Sequence, residues 1–258
     1  ASRNSDRASR SRILLTGIAG VLTLVVGTPA LAVPVHVAPA HAFVRGVSPV
    51  ANSNAAKAPT VAMVVMGEEG LGGPDDSLHV WDAAGINHAG VLAWQTVGAD
   101  TRFSAPLGSL TAGWYLAGSE VVSSDGHAVS AWWAFGVNAR TAASSTKKVV
   151  LTNTAAPVGL PSRMTVSVNG LRTGSRKVVS TATWGAVTNV RWVLKNADAK
   201  VAGAWLDWGV THDTRKKTDT ATGVVPRGGT WTLVVTVRAK SKSGWQVSTW
   251  SADVTVAP

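Results

Sequence analysis

Beyond residue 40 the apolar residues of this chain fall in short runs, and no stretch holds a 3.6-residue apolar repeat for three turns. Val61-Ala62-Met63-Val64-Val65-Met66, Leu78-His79-Val80-Trp81 and Gly90-Val91-Leu92-Ala93-Trp94 are rich in β-prone residues and bounded by Gly, Pro, Asp and Asn. Trp114-Tyr115-Leu116-Ala117 and the run from Ala128 to Phe135 continue the style. In the second half the alternation is cleaner. Met164-Thr165-Val166-Ser167-Val168 and the run from Thr230 to Val237 put apolar and hydroxyl residues on opposite faces. The runs Lys177 to Trp184, Val190 to Leu194 and Val247 to Val256 complete the set, with turn signals at Asn169-Gly170, Gly228-Gly229 and Ser243-Gly244. The pattern predicts an all-β chain. Its first half reads as a small β-barrel or sandwich, and its second as an immunoglobulin-like β-sandwich of about seven strands. The Trp residues on the strands of that second half read as core filling rather than a ligand platform.

The first forty residues have another layout. Arg3, Arg7, Arg10 and Arg12 precede an apolar stretch over residues 13–26, and small residues follow. That is the order of a secretory signal peptide, and the apolar stretch is short of the ~20 residues a spanning helix needs. Ala30-Leu31-Ala32, Ala38-Pro39-Ala40 and Ala40-His41-Ala42 all fit a small-x-small cleavage rule. The middle choice makes His41 the first residue of the mature chain. No later apolar run is long enough to span a membrane. The chain has no Cys, so thiolate metal sites and Cys nucleophiles are excluded, and a core without disulfides must hold the fold.

Charge divides the mature chain. Residues 41–144 carry four Lys/Arg against eight Asp/Glu, whereas residues 145–258 carry sixteen against five. The shift from −4 to +11 falls at a small-residue stretch and predicts residues 41–140 as one domain, 141–147 as linker and 148–258 as a basic domain. Arg215-Lys216-Lys217 and the Arg238 to Lys242 cluster sit at turn signals and should face solvent. For an exported protein such a patch suits anionic lipid head groups or phosphate-bearing envelope polymers. Nucleic acid is in the wrong compartment.

The chemistry concentrates at Ser123-Ser124-Asp125-Gly126-His127. Asp-Gly between two apolar runs is a hairpin turn signal. Asp125 and His127 are two apart, which in extended backbone puts both side chains on one face. With the α-amine and imidazole of a terminal His41 they make a nitrogen/oxygen set suited to four-coordinate tetragonal Cu(II). Glu68 and Glu69 could supply a further oxygen. His79 and His88 read as structural or solvated, and His212 lies beside Arg215-Lys216-Lys217, whose charge opposes a cation. Met63, Met66 and Met164 form no thioether cluster, so a Cu(I) site is not expected. Neither a Ser/His/Asp order, a phosphate loop nor a paired-acid pattern argues for catalysis.

The chain resembles the CopC family of exported bacterial copper-resistance proteins over about residues 41–138. The resemblance rests on His41-Ala42-Phe43 with Ser48-Pro49, the run from Val61 to Met66, and Val80-Trp81-Asp82-Ala83-Ala84-Gly85. Its most specific part is the segment from Trp114 to Ser130, followed by Phe135-Gly136-Val137. It implies a small β-barrel binding one Cu(II) through His41, Asp125 and His127. The expected role is copper sequestration or delivery, with a copper transporter as an expected partner. The expected function is therefore a non-enzymatic, secreted or envelope copper-binding protein. An envelope adhesion or interaction module is the first alternative. A copper-dependent oxidase is the second, and Asp125 stands against it where such enzymes usually place another His.

Overall fold

β3 (Val61–Met66) shows in six residues how the first half is built. Ala62, Val64 and Met66 are buried while Val61, Met63 and Val65 face outward, the period of two that a half-buried strand requires. The computed structural model describes residues 42–68, 70–140, 145–195 and 201–258. The signal segment, its cleavage sites, His41, Glu69 and residues 141–144 of the expected linker lie outside the described residues. Within them the chain is all-β, as its pattern predicts.

The first half contains β1 (Val44–Ser48), β2 (Asn54–Ala55), β3, β4 (Ser77–Trp81), β5 (Ala93–Val97), β6 (Asp100–Pro106), β7 (Gly113–Val122) and β8 (Ala128–Val137). They form two four-stranded sheets, in the orders β1-β3-β6-β5 and β2-β8-β7-β4. Met66, Phe103, Tyr115, Trp133 and Phe135 fill the space between the sheets. β7 departs from alternation, with both faces buried from Trp114 to Ser119. One face closes this core. On the other, Trp114 and Leu116 join Trp81 and Ala134 in the hydrophobic cluster of the second half. A strand covered on both sides reads as a continuous apolar run, which is why Trp114-Tyr115-Leu116-Ala117 shows no period.

The second half contains β9 (Lys147–Thr152), β10 (Arg163–Val168), β11 (Gly174–Ser180), β12 (Gly185–Leu194), β13 (Trp205–Trp208), β14 (Val210–Asp213), β15 (Thr218–Val225), β16 (Gly229–Ser241) and β17 (Gly244–Val256). These nine strands make one antiparallel sheet in the order β13-β12-β16-β17-β9-β10-β11-β15-β14. The sheet wraps until its ends approach. Asp219 on β15 accepts the Val187 amide of β12 at 2.7 Å, far from its neighbours in the ladder. The nine strands exceed the seven expected because β13 and β14 are four-residue strands at the sheet's ends and β15 is rich in Thr. Trp192, Trp208, Trp231 and Trp250 are fully buried, as core filling demands. The halves meet where β7 and β8 pack on this core, and the Val224 amide donates to Asn52 Oδ1 across the junction at 2.8 Å. No helix among the described residues is long and apolar enough to cross a membrane.

Candidate metal site at the hairpin turn

β7 and β8 pair without interruption from Gly113↔Val137 to Val122↔Ala128, and the register leaves Ser123 to His127 as the connecting turn. Gly126 takes φ of 85°, the left-handed conformation this turn needs and glycine adopts at least cost. The Ser123 amide donates to the His127 carbonyl at 2.9 Å, closing the loop across its base. Ser123 is itself buried and fixes the side chains above it. Its hydroxyl donates to Asp125 Oδ1 and lies 2.9 Å from the His127 carbonyl oxygen. The His127 amide donates to the same Asp125 oxygen at 3.1 Å.

The turn thus brings together two of the three expected ligands. His127 Nδ1 lies 3.1 Å from Asp125 Oδ1, with the imidazole 71% exposed and the carboxylate 13% exposed. That separation is the ordinary distance of an ion pair or hydrogen bond, and two donors at 2.0–2.2 Å from one ion in neighbouring positions would also lie about 3 Å apart. The hydroxyl of Ser123 is the main reason that the Asp125 carboxyl lies far below the usual carboxylate range. Partial burial opposes the shift, and the His127 amide and side chain add to it. Asp125 is therefore ionised at neutral pH and contributes a full negative charge.

Glu68, from the segment after β3, reaches the same turn. Its Oε1 accepts the Ser124 amide at 3.1 Å. Its Oε2 is buried without a hydrogen-bond partner among the described residues. A buried carboxylate oxygen without a donor is costly, and a cation is one way to satisfy it. Sequence pattern pointed to Glu68 and Glu69 together; the fold places Glu68 at the turn, and Glu69 lies outside the described residues. The third expected ligand, His41, lies outside the described residues. Among the described residues no three His, Asp or Glu side chains are gathered into a metal-holding group.

The other histidines are placed elsewhere. His88 Nε2 is 3.1 Å from Asp82 Oδ2, and its ring meets Tyr115 edge-on at 5.7 Å. His212, on β14, pairs with the buried Asp219 of β15. His79 Nδ1 is 3.3 Å from Asn87 Nδ2, with its ring 5.0 Å from that of Trp81. Met66 is buried in the core and Met63 faces the opposite side of β3, so these two thioethers do not converge.

No family model matches the chain, and no curated protein does. Among solved structures it is similar to CopC from Methylosinus trichosporium OB3b, with 23% identity and a TM-score of 0.34, covering 40% of this chain and 98% of that one. It is also similar to dimeric latent PorU from Porphyromonas gingivalis, at 13% identity and a TM-score of 0.30, over 84% of this chain and 20% of that one. A third likeness is to the fibronectin(III)-like modules of Clostridium thermocellum CbhA, at 12% identity and a TM-score of 0.23, over 84% and 94%. These are likenesses of all-β architecture, and no residue role is carried over from them.

Proposed function

We propose that this is an exported, non-enzymatic protein that binds one Cu(II) at the β7–β8 turn, for sequestration or delivery in copper homeostasis. The observation that carries the reading is the Asp125/His127 pair, held at ligand spacing by a buried Ser123. The sequence resemblance over residues 41–138 and the orphaned Glu68 oxygen beside the turn support it. The donor chemistry fits the ion. Imidazole nitrogen and carboxylate oxygen suit Cu(II), which heads the divalent affinity order, and disfavour the softer Cu(I). His41 supplies the remaining nitrogens in this reading. Its α-amine, with a reference pKa of about 7.7–8.0, gives up a proton to the metal near neutral pH. A copper transporter is the partner this role implies.

The test is a Cu(II) titration of the mature protein, competed against a chelator. His127→Ala removes a direct ligand and should cost more than the 10–100-fold typical of outer-shell changes, while His88→Ala should leave the affinity unchanged. Adding one residue before His41 converts its amine to an amide and should alter the electron-spin spectrum of the bound copper. Equal affinities for the two His variants would overturn the assignment. An unchanged spectrum would remove the amine from it.

A further inference from the structure

The outer face of sheet β2-β8-β7-β4 carries a second concavity, away from the turn. Register sets it up. His79 on β4 pairs with Gly118 on β7, which pairs with Trp132 on β8, so the three form one row across the sheet. In neighbouring rows Trp81 pairs with Leu116, and Ser77 pairs with Glu120. Gly118 makes room in the middle strand. A Cβ there would lie 2.4 Å from Trp132 Cζ3, so only glycine lets that indole lie over the strand. Trp132 then stacks beside Trp81, with centroids 5.8 Å apart and planes 18° from parallel. The result is a cavity of about 380 Å³ walled by His79, Trp81 and Trp132, with Asn87 and Glu120 among its polar groups.

We infer that this cavity binds a small organic cation with a quaternary ammonium head. The partly exposed indole of Trp132 presents negative quadrupole potential, and a cation placed over it gains about 0.5–2 kcal/mol, Trp being the best partner, while Trp81 is buried and backs that ring from the core. Glu120 adds a formal negative charge at an exposed position and makes no ion pair among the described residues. Among the described residues neither Lys nor Arg lines the cavity. A methylated ammonium is preferred to a primary one, because it surrenders little hydration on entering an aromatic site. A neutral ring compound would leave the Glu120 charge unmatched. The volume lies within the range of small-molecule pockets.

Calorimetric titration of the full chain with choline chloride tests the inference, with uncharged dimethylbutanol as the isosteric control. Choline should bind at least about tenfold more tightly than the alcohol, a ratio worth 1.4 kcal/mol. Glu120→Gln, at an exposed position, should weaken choline several-fold and leave the alcohol unaffected. Trp132→Leu should abolish both. Asp125→Ala should change neither, which separates this site from the metal-binding turn. Equal binding of choline and alcohol, indifference of choline to Glu120→Gln, or no heat with choline at millimolar concentration would each overturn the assignment.

Discussion

One oxygen of Asp125 receives the Ser123 hydroxyl and the His127 amide and also meets the His127 imidazole. Every one of these partners favours the ionised carboxylate, so folding lowers its pKa and pH must act on the turn in one direction. The stabilisation is present above the unfolded value of about 3.9 and is lost as pH falls through the lower folded value. Removing the leading donor tests this. In Ser123→Ala the Asp125 carboxyl should titrate at higher pH than in the parent, closer to about 3.9, as read from its carboxyl carbon by NMR. A midpoint that stays put would mean that the hydroxyl does not hold the charge. The indoles give a second contrast at this scale. Trp192 is fully buried with its ring 5.4 Å from Trp208, so Trp192→Ala should cost about 3–5 kcal/mol in urea unfolding. Trp245→Ala, at a position 64% exposed, should fall within about 0.5 kcal/mol of the parent.

Among elements, β3 and β10 were legible in the sequence because each buries alternate residues, and β4 and β8 because they are short apolar runs beside Gly, Pro or Asp. β6 was not. Its buried Thr101, Phe103 and Ala105 alternate with Asp100, Arg102 and Ser104, too few large apolar groups to signal a strand. The run Gly90 to Trp94 reads as a strand, yet pairing begins only at Ala93, and β5 lies exposed at an edge. The candidate turn was legible as a unit because Asp125, Gly126 and His127 are contiguous, and the structure places Asp125 and His127 side by side there. The aromatic cavity was hidden, since His79, Gly118 and Trp132 become neighbours only through the register of three strands. That register makes Gly118 a sensitive position. Gly118→Ala places a methyl group within the space of the Trp132 ring, so that indole must move off the sheet. The variant should shift the Trp132 indole resonance and weaken choline binding, while Gly113→Ala, with no atom within 4 Å of the added carbon, should do neither.

For the whole molecule, the uneven charge is the feature that sequence states and the fold distributes. Arg238 lies 5.3 Å over the exposed Trp245 ring, and Arg191 lies 4.6 Å over Trp205, so cations and indoles share the outer surface of the wrapped sheet. Such a surface should attract anionic vesicles or phosphate-bearing polymers, and the attraction should fall steeply from low to physiological salt, where the screening length is about 8 Å. Co-sedimentation with anionic vesicles over a salt series measures it. Association that ignores salt would point to the apolar residues instead.

β7 is buried on both of its faces from Trp114 to Ser119, so the strand that ends in the Ser123 to His127 turn is also a wall of the second half's core. The thermodynamic consequence is cooperativity. Neither half can melt without exposing Trp81, Trp114 and Leu116 to water, and calorimetry should show a single endotherm whose van't Hoff and measured enthalpies agree. An ion bound at Asp125 and His127 would then protect tryptophans it never approaches. At a free concentration one hundred times its dissociation constant it should add about 2.7 kcal/mol to the unfolding of the whole unit, read in the emission of Trp192 and Trp250 on the far side of the junction.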